Sequence, residues 1–335
     1  MDRDGLILVT GAGGFIGGHL VAALRDRGFR RVRAVDLKPL ERWHQAFPDV
    51  ESRALDLRNA EACASAARDA RYVFNLASDM GGMGFIESNK AACMLSVLIN
   101  TQMLLAARDA RVERYFFSSS ACVYPAQLQA AADVTALREQ DAYPADPEDG
   151  YGWEKLFGER LCRHFSEDFG LTTRVARYHN VYGPMGAYEG GREKAPAAIC
   201  RKIVEALQTG TGEIEIWGDG QQTRSFTYID DCIEGTIRLM DSDVREPLNI
   251  GSDELVRIDR LVDIVERVAG TSLRRRYKLD APRGVRGRNS DNALVRTRLG
   301  WAPSTSLETG MRVTYQWIAA EMAKSAGASR SLLHG

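Results

Sequence analysis

The feature that most constrains the fold is a glycine-rich loop between an apolar run and an amphipathic segment. The run Leu6–Thr10 is typical of a buried parallel strand, and the loop after it carries Gly11, Gly14 and Gly17. The first glycine permits a tight turn, the second lets backbone approach a pyrophosphate, and the third lets the next helix pack on the sheet. A plain tight turn is the alternative. The combination predicts an α/β fold: a Rossmann-type doubly wound parallel sheet followed by a smaller C-terminal α/β substrate-binding domain.

A carboxylate at the end of the second predicted strand, residues 31–36, indicates which dinucleotide binds. Asp36 lies about twenty residues after the loop, where a carboxylate accepts both ribose hydroxyls and repels a 2′-phosphate. This favours NAD over NADP. Arg33 and Lys38 are close enough in sequence to keep NADP open.

Two further segments extend the predicted cofactor site. Asp56, in residues 53–58, either reaches the adenine or caps the next helix. A fourth strand, residues 72–77, ends in small residues beside which the nicotinamide ribose can lie. The residues predicted to contact NAD are Gly11, Gly14, Phe15, Ile16, Gly17, Asp36, Asp56, Leu57, Leu76, Ala77, Tyr151 and Lys155.

A hydroxyl and an amine indicate the chemistry. Residues 113–118 read as a strand that ends in serines, and Tyr151 and Lys155 lie four apart, on one face of a helix. An ammonium beside a phenol favours the phenolate and lowers the tyrosine pKa from about 10. With a strand-end serine on the same substrate oxygen, this set would remove a proton from a sugar hydroxyl while a hydride leaves its carbon. A lone Tyr-x-x-x-Lys more often marks a surface helix, but here it follows a dinucleotide loop.

Length and charge limit the class of protein. The 335 residues leave room for a dinucleotide-binding domain, placed at 1–180, and a mainly substrate-binding one at 181–330, and the chain is free to cross back between them. Hydrophobic residues make up 44% of the chain, enough for a full core. The net charge of −1 gives no reason to expect a nucleic-acid or membrane partner.

The cysteines and the N-terminus suggest the compartment. Six cysteines show no paired spacing, which predicts reduced thiols and no metal site in a cytoplasmic protein. The N-terminus runs directly into a strand, without a signal peptide. No apolar run reads as long enough to cross a bilayer.

Three loops are candidates for substrate binding. Residues 78–85 form a Gly/Met-rich loop at a strand's carboxyl edge, where α/β sheets bind ligands, although a flexible connection is the alternative. Gly190–Pro196 precedes a helix and carries Lys194. Residues 284–291 place two arginines between glycines, which suits a phosphate clamp better than an exposed loop.

With these pieces in place the chain resembles the extended short-chain dehydrogenases/reductases that act on nucleotide sugars. A narrower resemblance, to the GDP-mannose 3,5-epimerase family, rests on four stretches: 79–85 (DMGGMGF), 120–122 (SAC), 191–196 (GREKAP) and 284–292 (GVRGRNSDN). Members of that family oxidise C4 of GDP-mannose with bound NAD⁺, invert C5 and C3 through deprotonation, and return the hydride. The resemblance also implies a homodimer that shares helices near 86–109 and 150–170.

The resemblance assigns roles by position. Tyr151 would be the C4 hydroxyl base, Lys155 would tune it, Ser120 would orient the sugar, and Cys122 and Lys194 would be the acid/base pair on opposite ring faces. Residues implied to hold the GDP-sugar are Gly81, Gly82, Met83, Ser120, Ala121, Cys122, Asn180, Glu193, Lys194, Ala195, Lys202, Gln222, Thr223, Arg224 and Arg288. The 4,6-dehydratases carry an Asp-Glu pair where this chain has Ala121 and Cys122, which argues against dehydration.

Alternatives remain for single residues and for the activity. Cys122 could be a small buried hydrophobe, and Lys194 a surface lysine. The same mechanism could act on another GDP-sugar, such as a heptose or a keto-deoxy sugar. The chain could also bind NAD without turnover, although the complete set of reactive residues speaks against that.

Overall fold

The structure, a computed structural model, describes residues 1–282 and 284–332, with the backbone alone from 326 onward. Its centre is a parallel sheet that is buried on both faces. Odd and even positions of one strand enter different cores: Ile7 and Val9 face one, and Leu8 faces the other. Strands that are buried on both faces need near-continuous apolar runs, which explains why these strands could be predicted from the sequence.

The first half of the chain alternates strands and helices. In order, its elements are β1 (Leu6–Thr10), α1 (Phe15–Asp26), β2 (Val32–Asp36), β3 (Glu51–Ala54), α2 (Ala60–Ala67), β4 (Ala70–Asn75), α3 (Met83–Ser88), α4 (Lys90–Met94), α5 (Ser96–Asp109), β5 (Arg114–Ser120), α6 (Tyr151–Phe169) and β6 (Thr172–Tyr178). These place the first six strands of the main sheet.

The second half is built from shorter strands. Its elements are β7 (Val181–Tyr182), α7 (Ala195–Thr209), β8 (Glu213–Trp217), β9 (Thr223–Arg224), β10 (Thr227–Tyr228), α8 (Ile229–Asp241), β11 (Leu248–Ile250), β12 (Val256–Arg257), α9 (Ile258–Ala269), β13 (Arg274–Lys278), β14 (Gly287–Arg288), α10 (Ala293–Leu299) and α11 (Leu307–Leu332). Small sheets pair β10 with β7, β9 with β12 and β14, and β8 with β13.

The main sheet has seven strands in the order β11-β6-β5-β4-β1-β2-β3, and every pairing is parallel. The order reverses direction between β1 and β4, the switch point at which Rossmann-type sheets bind ligands beyond the carboxyl ends of the strands. The predicted fold class is therefore confirmed.

The chain crosses back between its two halves. β11 pairs with β6 through Leu248–Ala176 and Ile250–Tyr178, so a strand from after residue 180 closes one edge of the main sheet. The division at residue 180 stays a prediction, and this return is the crossing that the sequence analysis allows for.

The prediction of one helix near 86–109 is wrong, because the structure divides this stretch among the three helices α3, α4 and α5. The Asn89 side chain donates to the Phe85 carbonyl oxygen at 2.9 Å and so competes with the helical hydrogen bonding there. The stretch Lys90–Asp109 is nevertheless long and apolar enough to span a membrane by length and composition, with 39% of its most apolar window buried. That does not fit the predicted lack of such a run.

Candidate active site

The glycine loop has the close backbone contacts that a dinucleotide site needs. Gly11 has φ +69°, and a Cβ there would lie 2.9 Å from the Leu76 carbonyl carbon. A Cβ at Gly17 would lie 2.1 Å from the Gly11 oxygen. Gly14 is the N-cap of α1 and has no side chain with which to cap the first amides of that helix. The loop and helix N-terminus therefore fit a pyrophosphate.

The ribose end favours NAD. Asp36 ends β2 and is partly buried, and its carboxylate accepts the Lys38 amide at 2.9 Å. Arg33 is buried and turned away: its guanidinium donates to Glu51 and to the carbonyls of Ala66 and Arg68. Lys38 lies over the loop, with Nζ 3.2 Å from the Gly13 oxygen. Of the two cations that kept NADP open, only Lys38 is near this site.

The alternative interpretation of Asp56 as a helix cap is wrong. Asn59 caps α2 and accepts from the amides of Glu61 and Ala62, while Asp56 pairs with Arg58 at 2.6 Å. The cap lies at Asn59 because β3 ends at residue 54 and the chain turns before the helix begins. Leu57 beside Asp56 is buried. Contact of either residue with the adenine stays a prediction.

A side chain on β1 holds the backbone at the predicted nicotinamide end of the site. Thr10 Oγ1 accepts from the amides of Leu76 and Ala77, both at 3.1 Å, and donates to Asn75 Oδ1 at 2.7 Å. This draws the end of β4 against the glycine loop. The small residue at 77 leaves room beside that junction.

The predicted hydroxyl–phenol–amine set is assembled from two elements. Ser120 is the last residue of β5, and Tyr151 and Lys155 share the first turns of α6. Lys155 Nζ lies 5.4 Å from the Tyr151 ring centroid and 3.3 Å from a carboxylate oxygen of Glu154. Tyr151 and Lys155 are both buried.

The expected direction of the Tyr151 pKa is wrong for this structure. Burial raises the Tyr151 pKa well above its usual value, the nearby Cys122 and Glu154 add to the rise, and the Ser120 hydroxyl lowers it only in part. Burial is not visible in the spacing of Tyr151 and Lys155, and desolvation disfavours the phenolate.

A buried polar chain lies beneath Lys155. Glu154, next to it on α6, accepts from Asn100, and Asn100 in turn accepts from Asn75 Nδ2 at 2.9 Å. Burial raises the Glu154 pKa. Asn100 is thus a buried residue that links two polar side chains by hydrogen bonds.

A cavity of about 230 Å³ opens beyond β5 and β6. The residues expected at the substrate line it together, with the exception of Thr223. They are Gly81, Gly82, Met83, Ser120, Ala121, Cys122, Tyr151, Asn180, Glu193, Lys194, Ala195, Lys202, Gln222, Arg224 and Arg288. The Thr223 hydroxyl instead donates to the Ala132 carbonyl.

The two residues expected to move ring protons both border this cavity. Cys122 lies in a short 3₁₀ turn after β5, is 7% exposed, and donates its amide to Ser120 Oγ at 3.2 Å. Lys194 is the N-cap of α7, and burial lowers its pKa, with Cys122 as a nearby partner that opposes the shift. A lysine with a lowered pKa is better matched to proton transfer near neutral pH.

Cations and an amide border the same cavity. Burial lowers the pKa of Lys202, and lowers that of Arg224 to about 10. Gln222 donates to the Trp217 carbonyl at 2.8 Å, and its own Oε1 is buried without a partner among the described residues. These groups can receive an anionic ligand.

The two arginines of residues 284–291 separate. Arg286 is partly exposed and pairs with Asp219 at 2.8 Å, away from the cavity. Arg288 is buried at the cavity wall. A clamp by both arginines is therefore not present, and the part of Arg288 in substrate binding stays a prediction.

Sequence reasoning missed several members of the cavity wall. Trp217, Glu215 and Tyr178 border the cavity, and Lys202 Nζ lies 5.5 Å from the Trp217 ring centroid. Trp217 precedes the Gly-Asp-Gly turn, where a strand meets the site, and that position was the available signal. No group of His, Cys, Asp or Glu suited to a metal occurs in residues 1–282 and 284–332.

The comparisons with known proteins agree with this geometry. Residues 7–251 match the NAD dependent epimerase/dehydratase family. A GDP-mannose 3,5-epimerase from rice (Oryza sativa subsp. indica) is 48% identical over 319 residues, which cover 95% of this chain and 82% of the rice protein.

Two solved structures with the same fold are nucleotide-sugar epimerases. A UDP-glucose 4-epimerase of Thermotoga maritima with UDP-glucose has a TM-score of 0.84 and 25% identity, covering 94% of this chain and 99% of its own. A UDP-glucuronic acid 4-epimerase of Bacillus cereus, with UDP-glucuronic acid and NAD, has a TM-score of 0.79 and 26% identity over 94% and 99%. The chain therefore belongs to the NAD-dependent epimerase/dehydratase family and, within it, to the GDP-mannose 3,5-epimerases.

Proposed function

We propose that the protein epimerises GDP-mannose at C5, or at C3 and C5, through a transient C4 ketone. The observation that carries this is one cavity bordered by Ser120, Tyr151, Cys122 and Lys194. Two devices thus meet in one place: a set suited to oxidising a hydroxyl, and two groups able to exchange protons. The rice relative carries the same activity in its name.

The first device handles the C4 hydroxyl. Bound NAD supplies reversible hydride transfer with the sugar. Tyr151 takes the hydroxyl proton, and because burial raises its pKa it needs positive charge nearby to act as a base. Lys155 is the charge that the protein provides, 5.4 Å from the ring centroid. Ser120 donates to or accepts from the same substrate oxygen.

The second device acts on the carbons beside the ketone. A carbonyl at C4 acidifies the hydrogens at C3 and C5, because the negative charge spreads onto oxygen as an enolate. Inversion needs a base on one face of the ring and an acid on the other, since a single group returns the proton to the side it left. Cys122 and Lys194 come from different elements, β5's end and the start of α7, as two opposed groups would.

Proton exchange in D₂O tests the proposed reaction. Incubated with GDP-mannose, the protein should place deuterium at C5, and at C3 where that carbon inverts, and NMR of the products locates the label. A product mixture of GDP-L-galactose and GDP-L-gulose would report how far inversion goes. GDP-mannose recovered without deuterium at C5 would reject the proposal.

Two substitutions separate the devices. Cys122→Ala should retain NAD and still oxidise C4, but lose inversion. Tyr151→Phe should lose C4 oxidation and hence all exchange. Parallel kinetics on a GDP-heptose and a keto-deoxy GDP-sugar decide whether GDP-mannose is the preferred substrate. Wild-type exchange by Tyr151→Phe would contradict the 4-keto route.

We also propose that the protein is a homodimer that works in the cytoplasm. Large apolar side chains stand 41–51% exposed on the adjacent helices α4, α5 and α6 and at the junction of α4 with α5: Met94, Leu95, Leu98, Trp153 and Phe157. A second copy packing its own α4–α6 on this face would bury them, whereas a lone chain leaves them in water. All six cysteines are buried and unpaired, as expected in a reducing compartment.

A further inference from the structure

We propose that Arg288 is a positioning residue for Cys122: its guanidinium fixes the sulfur at the cavity wall and favours the thiolate. The inference rests on the proposed function, in which Cys122 moves a ring proton. It gives Arg288 a role toward the protein's own thiol, in addition to the substrate contact that the resemblance implies.

Each nitrogen of the Arg288 guanidinium faces a different group. Nε donates to Gln129 Oε1 at 2.5 Å, one terminal nitrogen pairs with the Glu148 carboxylate, and the other lies 3.7 Å from Cys122 Sγ. The side chain is 5% exposed. Among these three partners, the thiol alone borders the cavity.

The backbone fixes both ends of this contact. The Glu148 amide donates to the Cys122 carbonyl at 2.9 Å, and a Cβ on Gly152 would lie 2.3 Å from that same oxygen. On the arginine side, β14 pairs with β9, and the Arg286 amide donates to the Gln129 carbonyl at 2.9 Å. The thiol and guanidinium are therefore held by separate rigid segments that meet here.

The charges around the thiol are mixed. Those that interact with Cys122 electrostatically or by contact are Cys93, Tyr151, Lys194, Arg224 and Arg288, with Glu148 behind Arg288. Three are cations, and a terminal nitrogen of Arg288 lies in hydrogen-bond range of the sulfur. A neighbouring guanidinium favours a thiolate, and Glu148 partly cancels that effect.

Alkylation of Cys122 measures this directly and needs no turnover. Iodoacetamide reacts with the thiolate, and peptide mass spectrometry shows which cysteine is labelled. The pH at which the labelling rate of Cys122 is half-maximal is therefore the titration midpoint of this thiol. Burial raises the pKa of the other five cysteines, including Cys63 and Cys232 to about 12, so they label slowly near neutral pH.

Two variants should move the midpoint in opposite directions. Arg288→Gln should raise it by about one pH unit or more, which slows labelling at pH 7 about tenfold. Glu148→Gln should lower it, because the opposing charge is gone. The labelling midpoint of the double variant, Arg288→Gln with Glu148→Gln, should still lie above that of wild type. Arg286→Gln, two residues away and paired on the surface with Asp219, is the matched control and should leave the profile unchanged.

Misfolding would not shift the midpoints of the two variants in opposite directions. If Arg288→Gln fails to fold, Arg288→Lys takes its place. It keeps the positive charge without the forked guanidinium, and its midpoint should lie between those of wild type and Arg288→Gln. An unchanged profile in the Arg288 variants, with KM for GDP-mannose raised tenfold, would overturn the proposal in favour of a phosphate contact. A shifted profile in a protein that shows no epimerisation would leave the thiol–guanidinium pair standing and reject the proposed function. Labelling profiles of wild type, Arg288→Gln, Arg288→Lys, Glu148→Gln, the double variant and Arg286→Gln are the decisive experiment.

Discussion

Alanine at Gly17 should separate backbone crowding from helix propensity, because Gly18 beside it provides the matched control. Both are buried residues of α1. The three atoms nearest to a Cβ at Gly17 would all be backbone: the Gly11 oxygen at 2.1 Å, the Gly11 carbonyl carbon at 2.7 Å and the Ala12 Cα at 2.8 Å. A Cβ at Gly18 would meet Nε2 at the end of the Gln45 side chain at 3.0 Å, the Gln45 Cβ at 3.3 Å and the Ala12 oxygen at 3.4 Å.

The distances decide whether alanine raises or lowers the free energy of unfolding at each position. Ordinary contact begins near 3.4 Å, so α1 must move by about 1.3 Å to admit a methyl group at Gly17. Overpacking of this kind costs about 1–3 kcal/mol, against a helix-propensity gain of about 1 kcal/mol. Gly18→Ala keeps most of that gain because Gln45 can swing aside. We expect Gly17→Ala to be destabilised by up to about 2 kcal/mol, and Gly18→Ala to be neutral or slightly stabilised.

Urea unfolding of both variants measures the free energies, and the NAD that co-purifies with each is quantified after denaturation. Gly17→Ala should also lose NAD, since the shift opens the loop that faces the pyrophosphate. Equal stability and equal NAD content in the two variants would refute the argument that the loop requires this close approach.

Three further predictions follow from buried groups and from the apolar face. Burial lowers the His179 pKa to about 4, so stability should be full above pH 6.5 and fall by about 3 kcal/mol as the pH drops toward 4; His179→Gln should flatten that slope in urea titrations. Glu159→Ala should cost about 3–5 kcal/mol in the same assay, because it strands Arg177, which Glu159 binds at 2.7 and 2.9 Å; a cost near zero would contradict a buried ion pair. Trp153→Glu with Phe157→Glu should yield monomers by light scattering, while Leu207→Glu, exposed on α7, should not; an unchanged dimer would place the interface elsewhere.

Much of the fold could be predicted from local sequence patterns. The apolar strands, the glycine loop and the Tyr151/Lys155 helix were legible because each depends on neighbours within a few residues. The position of β11 was not, because its pairing with β6 joins residues about seventy apart in sequence. The break at Asn89 depends on a side chain that bonds its own helix's backbone, which apolar periodicity does not report.

In the candidate site, too, local motifs were predictable and distant partners were not. Motif positions brought the cavity residues together, with Thr223 outside it. The partners of those residues were missed: Glu148 and Gln129 lie 140 and 159 residues before Arg288. The Tyr151 pKa was misjudged for a related reason, since the spacing to Lys155 shows a neighbouring charge but not the extent of burial.

The late edge strand has a consequence for synthesis on the ribosome. β6, residues 172–178, is finished long before β11 emerges, and until then its outer row of amides and carbonyls has no strand to pair with. Such a row is a template for association with other chains. A nascent chain paused between residues 180 and 248 is thus the species most in need of a chaperone, and a gene truncated there would yield aggregates instead of a separable nucleotide-binding half.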